Sequence, residues 1–217
     1  MPKPAKATPA SSFDDYLLHR QYRLSVEQYD EMIRRGILAE DLQFELIQGH
    51  IVSKNRAAQG ENVMSIGTRH VYAVDQLGEL KPTARELGLT LRTQQPIALV
   101  GSLSKPEPDG YLLAGSNDDF MDVDATAADV LVVFEVADSS LEFDRTTKLA
   151  LYAAAGIATY VIINLVNKTA EVYTKPNVAL NIASYATKVV LTRRQTLSLS
   201  LAKKKTFKIQ LSKLIPA

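Results

Sequence analysis

The sequence predicts one α/β domain. Two nearly continuous apolar runs, Val130 to Val136 (VLVVFEV) and Tyr160 to Leu165, read as strands covered on both faces. Between them Asp144 can cap a helix that runs through Lys148 to Ala155, with Gly156 as its terminator. Strand, helix, strand over such a span makes a right-handed βαβ crossover. The 217 residues suit one domain of this kind and bury a core without staples.

The flanking elements follow from local patterns. Ser25-Val26-Glu27-Gln28 has the form of a capping box, and Val26, Tyr29 and Ile33 follow at helical spacing until Gly36 stops the helix. Leu42 to Ile47 and Ile51 to Lys54 flank Gln48-Gly49 as a hairpin. From Glu61 to Leu77, the residues Val63, Ile66, His70, Val74 and Leu77 share one face of a longer helix, closed by Gly78. Strands are expected at Leu89 to Thr93, Ile97 to Val100 and Gly110 to Leu113, and Glu171 to Thr174 pairs back through Asn167-Lys168. Beyond that the weak alternation of apolar and polar residues predicts short edge strands.

Composition narrows the chemistry. There is no cysteine, which excludes disulfides and thiolate metal sites, and the only histidines are His19, His50 and His70. Any metal should therefore sit on oxygens. No apolar run reaches the roughly 20 residues that cross a bilayer, and MPKPAKATPASS lacks the apolar stretch of a secretory signal. The expected compartment is the cytoplasm. The net charge of +1 hides an asymmetry: eleven acids and no lysine or arginine lie between Glu107 and Asp144, whereas nine basic residues and no acid follow Glu171. An acidic centre and a basic terminus suit a metal site beside a phosphate-binding surface. They also suit a solvated acidic loop and a soluble basic tail.

The informative constellation is Pro108-Asp109, Glu135, Asp144 and Lys148. A carboxylate inside an apolar central strand is costly unless paired or metal-bound, which singles out Glu135. Asp109, set by a proline at the start of another strand, can meet it at a shared sheet end. Two such carboxylates suit Mg²⁺ or Mn²⁺, and a nearby ammonium such as Lys148 would hold the attacking water or offset phosphorane charge. From spacing alone, Asp144 and Lys148 read as an i, i+4 ion pair at a helix start, worth about 0.2–0.5 kcal/mol.

The segments YRLSVEQYDEM, FELIQGHIV, RTQQPIAL, KPEPDGYLL, VFEVADSSLEFDRTTKLALYAAAGIATYVIIN and AEVY, in that order over about residues 22–175, resemble the Uma-two family of restriction endonucleases within the PD-(D/E)xK superfamily. The resemblance implies a restriction-endonuclease-like mixed central β-sheet flanked by helices; the chain after Glu171 matches poorly and reads from its own alternation as a β-rich C-terminal extension. With composition and charge, the resemblance divides the chain into a tail at 1–20, the nuclease-like domain at 21–175 and a basic extension of the same domain at 176–217. It implies that Asp109 and Glu135 bind Mg²⁺ (or Mn²⁺), that the Val136 carbonyl is a further ligand, and that the superfamily lysine, absent at Ala137, has moved to Lys148. Glu45 matches the acidic residue placed before the metal strands, and reads equally as an exposed hairpin carboxylate. Where many members have a histidine at the start of the second helix, this chain has Asn62, and His70 is assigned to helix packing.

The function so implied is a metal-dependent endonuclease that hydrolyses DNA phosphodiester bonds, with a homodimer expected so that two sites face two strands. The alternative is a catalytically inactive protein of the same fold that binds nucleic acid or regulates, for which Ala137 would be a symptom. Glycoside chemistry on paired carboxylates is a third class, disfavoured by the absence of tryptophan. Lys203, Lys204 and Lys205 are candidates for phosphate contacts, or else ordinary edge-strand lysines that deter aggregation.

Overall fold

The computed structural model describes residues 21–38, 44–53, 67–180, 182–201 and 205–216. Helix α1 (Val26–Arg34) opens on a reciprocal capping box. The Gln28 N–H donates to Ser25 Oγ at 3.2 Å, and the Ser25 N–H donates to Gln28 Oε1 at 2.9 Å. Strands β1 (Phe44–Ile47) and β2 (His50–Ser53) form the expected hairpin. Its two-residue turn has Gln48 and Gly49 at φ of 51° and 79°, the left-handed values that match strand twist. A side chain at Gly49 would also collide with Arg23.

Helix α2 (Thr68–Gly78) is the described part of the second expected helix; Glu61, Asn62, Val63 and Ile66 lie outside the described residues. Val74 and Leu77 are buried, as their spacing requires. Gly78 does not close the helix through a left-handed cap. Glu79 continues in helical geometry, and a short helix α3 (Lys81–Glu86) follows at once.

The central sheet orders β3 (Leu89–Arg92), β4 (Gly110–Ala114), β5 (Val130–Ala137), β6 (Thr159–Asn164), β7 (Thr169–Ala179) and β8 (Ile182–Thr192) side by side. It is mixed: β5 and β6 run parallel, and the other neighbours are antiparallel. The crossover between the parallel pair passes through α4 (Leu141–Phe143), a π-helical turn Asp144–Lys148, and α5 (Leu149–Ala154). Gly156, at φ 76°, ends it. Asp144 is therefore not the helix cap; the helical path starts at Leu141, one turn earlier.

Two further expectations need correction. Residues 97–100 make isolated bridges, Ala98 to Thr126 and Leu99 to Ser104, before a 3₁₀ turn at Val100–Ser102, instead of a ladder strand. Ile97 and Leu99 are buried there all the same, so their apolarity reflects packing rather than sheet membership. The C-terminal region has its short edge strands only at the end. β7 and β8 are eleven residues each, and β9 (Thr196–Ser200) pairs with β10 (Thr206–Gln210) in a separate two-stranded sheet that leads into α6 (Leu211–Leu214).

The two faces of the sheet bury two different cores. On one face, Val132, Phe134, Val136, Val161 and Ile163 pack beneath α2, α3 and the C-terminal elements, which contribute Leu197, Leu199, Phe207, Ile209, Leu211 and Leu214. On the other, Val133, Ala137, Tyr160, Ile162 and Tyr173 pack under α5 and the β1–β2 hairpin. A bulge in β5 sets which residue faces which core. Leu112 pairs with Val132 and Leu113 with Val130, so Leu131 is the extra residue. From Val132 on, the alternation puts Glu135 on the face of α5. No helix among the described residues is long and apolar enough to cross a membrane.

That second face also buries Glu171, in β7, at 2% exposure. Its carboxylate accepts from the Arg145 guanidinium, Lys188 Nζ at 2.7 Å, Tyr173 OH at 2.6 Å and Asn164 Nδ2 at 3.3 Å. Burial alone would raise its pKa, but these donors outweigh burial and hold it at about 2, below the usual 4.5. A depressed pKa gives stability that is present above pH 4.5 and lost as pH falls towards 2. Urea denaturation at stepped pH should therefore show wild type losing roughly 2–3 kcal/mol more than Glu171→Gln across that window. Parallel curves would mean that the carboxylate contributes nothing as an anion.

Candidate active site

Asp109 and Glu135 meet because β4 and β5 are neighbours in register. Gly110 faces Phe134, so Asp109, just before β4, lies beside Glu135 near the end of β5. The Val136 N–H donates to Asp109 Oδ2 at 2.7 Å, and the Asp109 N–H donates to Glu135 Oε2 at 3.4 Å. The residue expected to offer a carbonyl thus also fixes Asp109 through its amide. Gly110 matters for a second reason: a Cβ there would lie 2.5 Å from Leu77 Cδ2. The close approach seats α2 on the strand start and delivers His70, two turns before Leu77, to Asp109. The Nε2–Oδ2 distance is 3.3 Å. His70 therefore joins the candidate site rather than serving helix packing alone, and its Nδ1 is buried with no hydrogen-bond partner among the described residues.

Glu45 comes from β1, and it is buried, not an exposed hairpin carboxylate. Backbone bonds between Leu46 and Lys105, at 2.7 and 3.4 Å, lay the following residues alongside the hairpin. The Glu107 N–H then donates to Glu45 Oε1 at 2.7 Å. Lys105 is itself held by Asp30 of α1 at 2.8 Å and Asp124 at 2.7 Å, which anchors that loop from the outside.

Lys148 joins the two halves. Its Nζ donates to Glu45 Oε1 at 2.7 Å and to Glu135 Oε1 at 3.2 Å, and only 4% of the residue is exposed. Tyr152, one helical turn further and so on the same face, donates from its hydroxyl to Glu135 Oε1 at 2.8 Å. The expected pairing of Lys148 with Asp144 does not form. Asp144 instead accepts from Ser140 Oγ at 2.6 Å, and two buried carboxylates draw the ammonium inward. Nor is Lys148 on an exposed helix start. Sequence reasoning missed Tyr152 and the burial of Asp144, although the Lys148–Tyr152 spacing of four was visible as a shared helix face.

Charge in this corner is unbalanced. Asp109, Asp144 and Glu45 all act on Glu135, and Asp109 and Glu45 act on Asp144, whereas among the described residues Lys148 is the one lysine that acts on both. Burial pushes Glu135 up to about 8; Lys148 opposes this, while Asp109, Asp144 and Glu45 reinforce it. Burial likewise raises Asp144 to about 6, against the Ser140 hydrogen bond and Lys148. Burial would make Lys148 a weaker base, but Glu135 and Glu45 outweigh it and keep the ammonium charged. Burial also opposes protonation of His70, and contact with Asp109 more than compensates, which raises its pKa.

The donor chemistry fits a hard divalent cation: paired carboxylates with an excess of buried negative charge, and His70 engaged with Asp109 at the margin. Among the described residues no three His, Asp or Glu side chains converge to hold an ion by themselves. Asp109 and Glu135 would thus share it with water, as Mg²⁺ commonly does. Of the basic triad, Lys203 and Lys204 lie outside the described residues, and Lys205 donates from Nζ to the Leu87 carbonyl at the end of α3.

Comparison with known proteins agrees with this architecture. No curated protein matches the chain. Among solved structures, a "putative nuclease belonging to DUF820 from Anabaena variabilis" superposes with a TM-score of 0.61 at 13% identity, covering 88% of this chain and 99% of that one. Likeness at that identity speaks to the fold. The profile of the Uma-two family, described as "Putative restriction endonuclease", matches residues 26–212, well past the 22–175 span of the quoted segments and across the C-terminal strands. The chain belongs to the Uma-two family.

Proposed function

We propose that this protein is a metal-dependent endonuclease that hydrolyses DNA phosphodiester bonds, with Asp109, Glu135, Lys148 and Glu45 at its centre. The observation that carries the proposal is the buried Glu45–Lys148–Glu135 bridge set against Asp109 at the ends of adjacent strands. Family membership supports nuclease chemistry, and the acidic, carboxylate-rich donor set supports a divalent ion.

Asp109 and Glu135 would hold Mg²⁺ or Mn²⁺, which would supply charge neutralisation and polarisation at the scissile phosphate. The protein's own contribution is positioning, which is most of what phosphoryl transfer needs. The Val136 amide fixes the rotamer of Asp109, and Tyr152 together with Lys148 fixes Glu135. Glu45 keeps the Lys148 ammonium charged and aimed at Glu135, where it orients a water oxygen or offsets charge on the phosphorane. His70, on Asp109, braces the same carboxylate from the helix side.

Two measurements test this. Supercoiled plasmid incubated with the full chain should be nicked or linearised in Mg²⁺ or Mn²⁺ and left intact in chelator, and Asp109→Asn should lower the rate at least about a hundredfold. The same ions should raise the melting temperature of wild type and not of Asp109→Asn, since an ion that binds only the folded state stabilises it. A metal-independent melting temperature in both proteins would overturn the assignment of Asp109.

Lys148→Ala should abolish cleavage and also weaken the fold. Removing one partner of a buried pair leaves uncompensated charge, at a cost of about 3–5 kcal/mol. Adding Glu135→Gln to that variant should restore part of the stability and none of the activity, as read by urea denaturation and plasmid cleavage. Full activity in Lys148→Ala would remove the lysine from the mechanism.

A further inference from the structure

We infer that Arg145 and Lys188, pinned by Glu171, form a second phosphate-binding site that holds the DNA backbone beside the reacting centre. The inference rests on the nuclease reading above. Glu135 faces Ile162 across β5 and β6, and Ile162 faces Glu171 across β6 and β7. The two carboxylates therefore stand in one transverse row on one face of the sheet, two strand spacings or ~10 Å apart. The helical turn Asp144–Lys148 lies over that face and serves both. Lys148 goes to Glu135, and Arg145, three residues earlier, goes to Glu171.

The two carboxylates differ in how they are matched. Around Glu135 carboxylates outnumber cations. Around Glu171 the reverse holds: two cations, a hydroxyl and an amide converge on one anion. Glu171 needs no further donor, and Glu142 acts on Arg145 only from beyond ion-pair distance, so among the described residues the two cations share one contacting carboxylate and keep positive charge available. That charge is also accessible. Arg145 and Lys188 side chains are 34% and 42% exposed, over a Glu171 that is 2% exposed.

Both cations are held in place, which suits them to a fixed oxyanion. The guanidinium commits Nε and Nη2 to Glu171 and leaves its Nη1 edge. Lys188 Nζ lies 5.1 Å from the centre of the Tyr173 ring, in addition to its bond to Glu171. An arginine fork beside an ammonium matches the tetrahedral oxygens of a phosphodiester. The ~10 Å offset lets a neighbouring phosphate of the same strand sit on this pair while another lies at the reacting centre. The sheet face thus carries a negative pole for the metal and a positive pole for a neighbouring phosphate.

The test compares the full chain with Arg145→Gln/Lys188→Gln/Glu171→Gln, which removes both cations together with the buried anion that would otherwise be stranded. Binding of a short labelled DNA duplex is titrated against salt without divalent metal, and cleavage kinetics are measured in Mg²⁺. The plot of log affinity against log salt should flatten by about 0.9 for each lost phosphate contact. KM should rise about tenfold with kcat within about twofold, the pattern of lost uniform binding. Arg145→Lys/Lys188→Arg, which keeps the charges, should restore the salt slope. Superimposable salt titrations in a triple variant that retains its circular dichroism would overturn the proposal, as would a wild type that binds no duplex at low salt. If the variant flattens the slope but even wild type cuts nothing in any metal, the phosphate site stands and the nuclease reading fails.

Discussion

Lys148 is the point on which the rest of the site depends. Its ammonium sits between Glu45 and Glu135, which are 103 and 13 residues away along the chain, and all three side chains are buried. Through it the N-terminal hairpin, the central strand and the crossover helix are locked to one another. Such a bridge is a poor way to stabilise a fold. Desolvating the ions costs several kcal/mol each, and a well-packed apolar trio of similar volume would often be at least as stable. Here one lysine is also outnumbered by carboxylates, so burial drives Glu135 towards protonation. A site of this kind makes physical sense when another cation is part of its working state.

The two cores divide the labour around that bridge. The face under α2 and the C-terminal strands buries a large aliphatic and aromatic cluster. The face under α5 is built on tyrosines, each with its ring in the core and its hydroxyl on a polar partner. Tyr152 reaches Glu135, Tyr173 reaches Glu171, and Tyr160, Tyr111 and Tyr185 reach the carbonyls of Asp144, Pro96 and Ile157. Tyr160 lies 5.1 Å from Tyr152 and 5.9 Å from Tyr173, ring centre to ring centre. Amphipathic rings let a packed core grade into a polar site without orphaned groups. In a chain without tryptophan, tyrosine carries that task.

What could be read in advance, and what could not, follows from the range of the forces involved. The capping box at Ser25, the Gln48-Gly49 turn and the buried strands are local or periodic, so their signals are contiguous in sequence. Glu135 betrayed itself because a carboxylate inside VLVVFEV violates the pattern that surrounds it. His70 gave no such sign. Its approach to Asp109 depends on Gly110 admitting Leu77, a contact between segments that no local pattern joins. The length of β7 and β8 was equally hidden, because their outer halves are partly exposed and so lack a strong alternation. Ile97 and Leu99 misled in the other direction: burial without ladder pairing looks like a strand from composition alone.

The charge asymmetry along the chain also changes meaning once folded. Counted in sequence, the positive charge belongs to the C-terminal segment, and Lys203-Lys204-Lys205 is its most conspicuous cluster. In the structure Lys205 is spent on the Leu87 carbonyl, at the negative end of a short helix, where a cation is favoured for reasons unrelated to a ligand. Lys188, unremarkable in sequence, is carried by β8 to the row beside Glu171, and Arg145 reaches the same carboxylate from inside the acidic stretch of the chain's centre. Proximity to the reacting corner is set by strand order, not by the density of lysines. A charge count along the chain therefore says little about which cations stand near Glu135, while the register Glu135–Ile162–Glu171 places Arg145 and Lys188 beside it.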